Sequence, residues 1–499
     1  MRRYVLFSLA TVLAAQAQKP FRLQVPRMWN DVAMADLELP LASAEHSLRM
    51  VSSEYYYRIP VRPVYKTYPV YARDREPSGY LDWLRQKESA NVFDASNFRT
   101  ERDWIRAGEL VFDTPTLLDI PISSDDVRDP EFLKRTGVPV SPDGTIPTLR
   151  YVIRKKGTVE LGSFACGMCH TRLQANGTII KGAQGNFPGD RVVAFTVRRF
   201  AAKDPETALK TARQVARSLV QTPWANPDPH ENWFNAPLEE HLAYYEAIPP
   251  GIFLRHRSSA FAPTQLPDLI GIKDRRYLDK SGLQRHRGVA DLMRYAALNQ
   301  GADDLGDYSG FIPASPDFRT TVDPTTVERY SDEQLYALAL YLYSIKPPAN
   351  PNRIDALAKR GSKVFKAQGC GGCHTPPLYT NNMLLPVAGF QVPRDHRTKY
   401  DILDIPIGTD PKLTMETRRG TGYYKVPSLK GVWYRGPFEH NGSVATLEDW
   451  FDANRLLDDY VPTGWRGYNV KTRPVKGHEF GLKLPADDKR ALIAFLRTL

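Results

Sequence analysis

Cys166-Gly167-Met168-Cys169-His170 and Cys370-Gly371-Gly372-Cys373-His374 share one five-residue pattern and hold all four cysteines of the 499-residue chain. C-x-x-C-H is the attachment pattern of c-type haem. Two thiols at this spacing reach the vinyl groups of one macrocycle, and the adjacent histidine swings beneath it to ligate the iron. Paired cysteines also serve redox disulfides and zinc sites. A redox pair does not need the trailing histidine, and zinc draws its cysteine pairs together. The double motif therefore reads as two covalently bound haems. Cys166, Cys169, Cys370 and Cys373 are the attachment points, and His170 and His374 the proximal iron ligands.

The first residues agree with that reading. Arg2 and Arg3 form a charged start, residues 5–15 an apolar stretch, and Ala15-Gln16-Ala17 an A-x-A cleavage pattern. Residues 1–17 read as a signal peptide, which implies a periplasmic or secreted protein, the setting in which bacteria attach haem covalently. The apolar stretch is too short to span a bilayer. No later segment approaches twenty apolar residues, so the chain reads as not membrane-spanning.

Without the leader the chain is long enough for two or three domains of ordinary size. Its 40 Pro and 33 Gly point to long irregular loops, and its 25 Tyr and 21 Phe to loops that are pinned rather than disordered. The formal charge of +11 falls when Arg2 and Arg3 leave and again with four haem propionates. The remaining excess suits an acidic redox partner. With neither a basic run nor a nucleic-acid motif, the chain gives no reason to invoke nucleic acid.

Both haem motifs belong to units that end in similar helices. Ser331-Asp332-Glu333-Gln334 is a capping-box start to an apolar run through Tyr343, stopped by Pro347-Pro348. Pro485 opens the second closing helix, with Ala491-Leu492-Ile493-Ala494-Phe495-Leu496 as its apolar run. Between motif and closing helix a second repeat appears. Leu266-Pro267-Asp268-Leu269-Ile270-Gly271-Ile272 mirrors Val426-Pro427-Ser428-Leu429-Lys430-Gly431-Val432, and His286 before Val289-Ala290-Asp291-Leu292 mirrors His440 before Val444-Ala445-Thr446-Leu447. This order implies duplication of one haem-binding unit. The approach to each motif differs: residues 353–368 have helical apolar spacing, whereas 149–154 and 159–161 alternate like strands. The expected fold is mainly α, two cytochrome c-like haem domains with long loops and a little β near the first haem. The expected divisions are a signal peptide over 1–17, an extended N-terminal strap over 18–143, a first haem domain over 144–348 and a second over 351–499.

The carboxy-terminal half resembles bacterial di-haem cytochrome c peroxidases and their relative MauG. The matching residues run from Lys425-Val426-Pro427-Ser428-Leu429 to His440-Asn441-Gly442-Ser443-Val444-Ala445-Thr446-Leu447. Val432-Trp433-Tyr434-Arg435-Gly436-Pro437-Phe438 and Gly477-His478-Glu479-Phe480-Gly481-Leu482 look closest to the rubber oxygenase branch. The resemblance implies two haems with two jobs. One iron keeps an open or displaceable position for peroxide or dioxygen, and the other is six-coordinate and passes electrons. It also leaves open a calcium ion between the domains.

For the second haem the distal candidates are His396, His440, His478, Met383 and Met415. The resemblance favours His478, just before the closing helix, and assigns His440 to structure near the haem. For the first haem they are His256 and His286. In the region where these peroxidases carry an F-W-D-G-R-like segment and a distal acid, this chain has Arg285-His286-Arg287. His286 is the candidate distal-pocket catalytic residue; pairing of these basic groups with haem propionates is the competing reading. Gln184 and Asn186, in the Gly182–Pro188 stretch, are candidates to face the first haem, with turn chemistry as the alternative. Trp433 is a candidate relay between haems, with core packing as its alternative. The reaction implied is peroxide reduction or oxygen-dependent oxidation of an unknown organic substrate. The alternative is a pure electron carrier with both irons six-coordinate.

Overall fold

The computed structural model describes residues 24–499 except 226–227, 256, 300, 302–304, 316–317 and 406. The expected signal peptide and His256 therefore lie outside the described residues. The chain is mostly helical with small antiparallel sheets, and two tightly packed helix pairs organise it. In the second half Asp355 caps the helix Ala356–Ala367, accepting from the Ala358 amide at 2.8 Å. This helix packs on the closing helix Ala486–Arg497. Their backbones meet at Gly361, where a Cβ would sit 1.8 Å from the Ala491 carbonyl oxygen and 2.8 Å from the Phe495 Cβ. Only glycine allows so close an approach. One turn along, Phe365 meets Phe495 with ring centroids 5.3 Å apart.

The first half repeats that contact at the same offsets. Helix Glu101–Asp113 carries Gly108, whose Cβ would lie 2.0 Å from the Ala337 carbonyl oxygen and 2.7 Å from the Tyr341 Cβ. Those partners belong to the helix Asp332–Ser344, which starts with the expected Ser331/Gln334 capping box. Four residues beyond Gly108, Phe112 packs on Tyr341 at 5.3 Å between centroids. The helix that opens this pair thus lies inside the region expected to be an irregular strap, well before residue 144. Its distance from the motif hides it. Only Gln368 and Gly369 separate the second opening helix from Cys370, whereas three of the four strands of a sheet lie between Asp113 and Cys166.

That sheet is antiparallel, in the order Thr67–Tyr71, Thr145–Val152, Glu160–Ser163, Leu117–Leu118. Arg150 pairs with Gly162 and Tyr151 with Leu161, so the strands expected before the first motif are present. The last long strand feeds directly into Cys166 and sets that motif against the sheet's core, where Met168 and Ala165 pack with Leu149 and Leu161.

The remaining N-terminal segment wraps around the first helix pair. Trp29 and Tyr56 are fully buried and stack at 4.1 Å, in a core shared with Trp104, Leu335 and Leu338. Asp36 pairs with Arg285 at 2.6 Å and also with Arg287. Glu38 takes a two-pronged bond from Arg257 at 2.8 and 3.1 Å. Among the described residues, no helix is long and apolar enough to cross a membrane.

The glycine contacts give a stability prediction. Gly361→Ala must force the helix pair apart, an overpacking cost of about 3 kcal/mol. Denaturant titration of the haem-loaded protein should show earlier unfolding; a wild-type midpoint would remove the packing argument.

Candidate functional site

The strand Glu160–Ser163 ends at Phe164, in the left-handed region at φ 57°, and the chain turns into the one-turn helix Cys166–Cys169. Gly167 has no room for a side chain: its Cβ would meet Asp113 Oδ1 at 2.7 Å and Phe112 Cε1 at 3.3 Å. The opening helix thus grips the first motif directly. From the other side the Gly182 amide donates to the His170 carbonyl at 2.7 Å, and the Gly185 amide to the Cys169 carbonyl at 3.1 Å. Gln184 accepts from the Gly436 amide at 3.2 Å and donates to the Pro437 carbonyl at 3.1 Å, tying the halves together. The Asn186 amide bonds to Leu173 at 2.8 Å. The second motif is a tight turn, Cys370–Gly372, entered through Gly369 at φ 70°.

The repeated P-x-L segment has a physical task at each motif. The His170 Nδ1 lies 3.0 Å from the Pro267 carbonyl oxygen. His374 Nδ1 lies 3.2 Å from the Tyr379 carbonyl, and the Pro427 carbonyl also acts on its ring. A carbonyl on Nδ1 fixes that nitrogen as the N–H and leaves Nε2 with its lone pair, the tautomer a metal requires. Burial pushes both imidazoles down to about 4, so they are neutral near pH 7. Burial also pushes the Cys169 thiol up to about 11 and raises Cys370 and Cys373. A redox-active C-x-x-C needs the opposite shift. Among the described residues no group of three or more His, Cys, Asp or Glu converges as a metal site.

The two motif histidines, His170 and His374, have different surroundings. The His478 ring faces His374 with centroids 6.2 Å apart. A metal–imidazole bond of about 2 Å on each side and roughly 1 Å from nitrogen to ring centre give about 6 Å. The spacing therefore fits one iron between the rings. His478 is held there from several directions. Its backbone is left-handed at φ 47°, and Trp450 and Phe480 each flank its ring at 5.3 Å. Arg455 donates to the carbonyls of Gly477 and His478 at 2.8 and 2.9 Å.

No described imidazole takes that place opposite His170. His46 stacks on Trp224 and His241 packs on Trp233. His230 lies between Asp228 and Ser259, at 2.8 Å from each. That Ser–His–Asp relay is shut from solvent, and its Nε2 also accepts from the Ala260 amide at 3.2 Å, which leaves no face for a substrate. His396 lies 2.9 Å from the Tyr423 hydroxyl. His440 Nδ1 lies 2.6 Å from Glu439 Oε2, and Met415 packs against the cluster of Leu413 and Tyr424. His286 spends both ring nitrogens on protein, Nδ1 on the Arg275 carbonyl at 2.6 Å and Nε2 on the Tyr343 hydroxyl at 2.7 Å. Its neighbours Arg285 and Arg287 are occupied by Asp36 and Asp291.

Sequence reading missed two sets of residues. Asp190 is buried near Cys169 and accepts from the Leu254 amide at 3.1 Å; desolvation holds its carboxyl well above the usual range. Nothing in the pattern around a single Asp announces that. The second set was visible as a repeat. Arg275 follows Pro267 by the same eight positions that separate Arg435 from Pro427. Each arginine folds back on the carbonyl of the residue after its proline, Asp268 for Arg275 and Ser428 for Arg435.

No family model matches the chain. The cytochrome-c peroxidase IdrP1 of Pseudomonas sp. is 29% identical over 168 residues, spanning 30% of this chain and 41% of that protein. The methylamine utilization protein MauG of Methylorubrum extorquens is 28% identical over 149 residues, spanning 29% of this chain and 35% of the relative. The similarity supports the di-haem cytochrome c peroxidase/MauG superfamily, at low identity. The chain matches less than half the length of either relative. Among solved structures, a MauG-like protein associated with microbial copper homeostasis has a TM-score of 0.29 at 15% identity, over 59% of this chain and 88% of that one. Hydrazine synthase of Kuenenia stuttgartiensis has a TM-score of 0.28 at 15% identity, over 58% and 87%.

Proposed function

We propose that this chain is an exported di-haem c-type oxidoreductase of the peroxidase/MauG kind, with peroxide or dioxygen reacting at haem one. Cys166 and Cys169 hold haem one and Cys370 and Cys373 haem two. His170 and His374 are the proximal ligands, and His478 closes the distal side of haem two. A haem held at the first motif would supply a site for an oxygen species, and one held between His374 and His478 would pass electrons with little rearrangement. The chain's own contribution is to hold the Nδ1 proton of each proximal histidine on a carbonyl, to fix His478, and to keep both sites in protein rather than water. In this reading His286 braces the end of the Asp332–Ser344 helix through Tyr343 and takes no part in chemistry.

The observation that carries the reading is the difference between the two sites. His374 is faced by His478 at 6.2 Å, and no described histidine ring faces His170 in the same way. A carrier with two closed irons has no use for that difference. The wording of residues 432–438 resembles the rubber oxygenase-like branch, so dioxygen belongs in the test beside peroxide. The positive net charge supports an acidic redox partner.

Electron paramagnetic resonance of the oxidised, haem-loaded protein tests the assignment. The expected spectrum holds one high-spin ferric signal altered by peroxide, or by dioxygen after reduction, and one low-spin signal. Two low-spin signals indifferent to both reagents, even after one-electron reduction, would leave an electron carrier.

A further inference from the structure

Between the two motifs lies a group of cations that the proposed reaction does not use. Arg275 and Arg435 come from equivalent places in the two repeats, and Lys280 and Lys425 join them. The backbone brings them together: Arg275 and Arg435 meet at Asp268, one at its carbonyl and the other 4.0 Å from its Oδ2, and the Lys425 amide donates to the Lys280 carbonyl at 3.0 Å. Lys280 feels both arginines, and Lys425 feels Arg275 and Lys280.

The anions facing this group are too few and mostly spent. Asp268 accepts from the Tyr434 hydroxyl at 2.9 Å and lies 4.0 Å from Arg435 Nε, while its backbone carbonyl takes Arg275. Glu439, which faces Lys280, is paired with His440 at 2.6 Å. Asp279, which faces Lys425, is paired with Arg419 and with the Tyr295 hydroxyl at 2.9 Å. The lysine ammoniums have only neutral oxygens as bonded partners, Gln265 for Lys280 and the Tyr277 carbonyl at 3.1 Å for Lys425. Arg435 Nε is buried without a hydrogen-bond partner. Like charges set together away from water are costly unless anions join them. Burial with mutual repulsion pushes Lys280 down to about 7 and Lys425 well below the usual lysine range. Two added carboxylates or more would restore the charge on both and give Arg435 an acceptor.

We infer that Arg275, Lys280, Lys425 and Arg435 form one carboxylate-binding site, shared by the two repeats, that receives propionate groups of both haems. The inference rests on the di-haem reading above. It adds residues that this reading does not contain, and it makes the interface between the repeats electrostatically common to the two irons. A cation beside a haem favours the reduced state, because reduction removes one positive charge from the iron. Arg275 then raises the potential of haem one more than that of haem two, Arg435 does the reverse, and Lys280 acts on both.

Redox titration of the haem-loaded full chain, followed by its visible spectrum, tests this with R275Q, R435Q and K280M. The pyridine haemochrome of each protein gives the haem count as a separate readout. The expected result is two haems per chain in every protein, with a lower midpoint for haem one in R275Q, for haem two in R435Q and for both in K280M. R275K and R435K keep the charge and should stay near the wild-type midpoints, which also covers the case in which a glutamine variant loads haem poorly. Fully loaded variants with unchanged midpoints would overturn the inference while leaving the di-haem reading intact. Unchanged midpoints in the variants together with a saturable shift of wild type by added acetate would mean a site for a free acid, and would overturn it too. A wild-type chain without covalent haem would end both.

Discussion

Serine in place of Cys370 and Cys373 together should leave one covalently held haem per chain where the proposal gives the wild type two. The expectation follows from separation: the two motifs lie on different helix pairs, one gripped through Phe112 and Asp113, the other set beside Phe365. Losing the thiols of one does not move the backbone of the other. Haem staining after denaturing electrophoresis should fall by half for C370S/C373S and equally for C166S/C169S, and vanish when all four are changed. The electron paramagnetic signals should separate in the same way. The C370S/C373S protein keeps the signal that peroxide alters, and C166S/C169S keeps the low-spin one. A protein that loses both haems when either motif is changed would mean the halves fold only together. Unchanged staining in every variant would end the covalent haem assignment.

Much of this layout could be read from the chain, and the misses have physical reasons. The motifs, the closing helices with Ser331 and Pro485 at their starts, and the strands before Cys166 were legible because each depends on local pattern. The opening helix Glu101–Asp113 was not. Its marker, a glycine four residues before an aromatic, gains meaning only when Ala337 and Tyr341 stand opposite, and those lie more than two hundred residues away. His286 shows how far such a reading reaches. It occupies the place of His440 in the repeat, yet the two rings bond differently, His286 to Arg275 and Tyr343, His440 to Glu439. A repeat preserves backbone position more faithfully than side-chain duty. Arg275 and Arg435 are the reverse case, since both their spacing and their bonding to the repeated segment survive in each copy.

His478→Ala should convert the second site from closed to open. The wild-type ring is fixed by a left-handed backbone, by two flanking aromatics and by Arg455. A shift of His440 would strain its bond to Glu439, a buried charge that leans on that partner. The low-spin signal should therefore disappear in H478A, a second high-spin signal should take its place, and the reduced protein should bind carbon monoxide at both irons. His478→Met separates ligation from mere proximity. A thioether on the iron keeps the site closed and raises the potential of haem two relative to two imidazoles. Arg455→Gln supplies the graded case: the ring stays in the chain but its loop loses three carbonyl anchors, at Val475, Gly477 and His478. It should give a mixture of low-spin and high-spin haem two that shifts towards high spin on warming. If H478A keeps a full low-spin signal, the iron of haem two takes its sixth ligand from elsewhere, and the 6.2 Å pairing of His374 with His478 is packing rather than ligation.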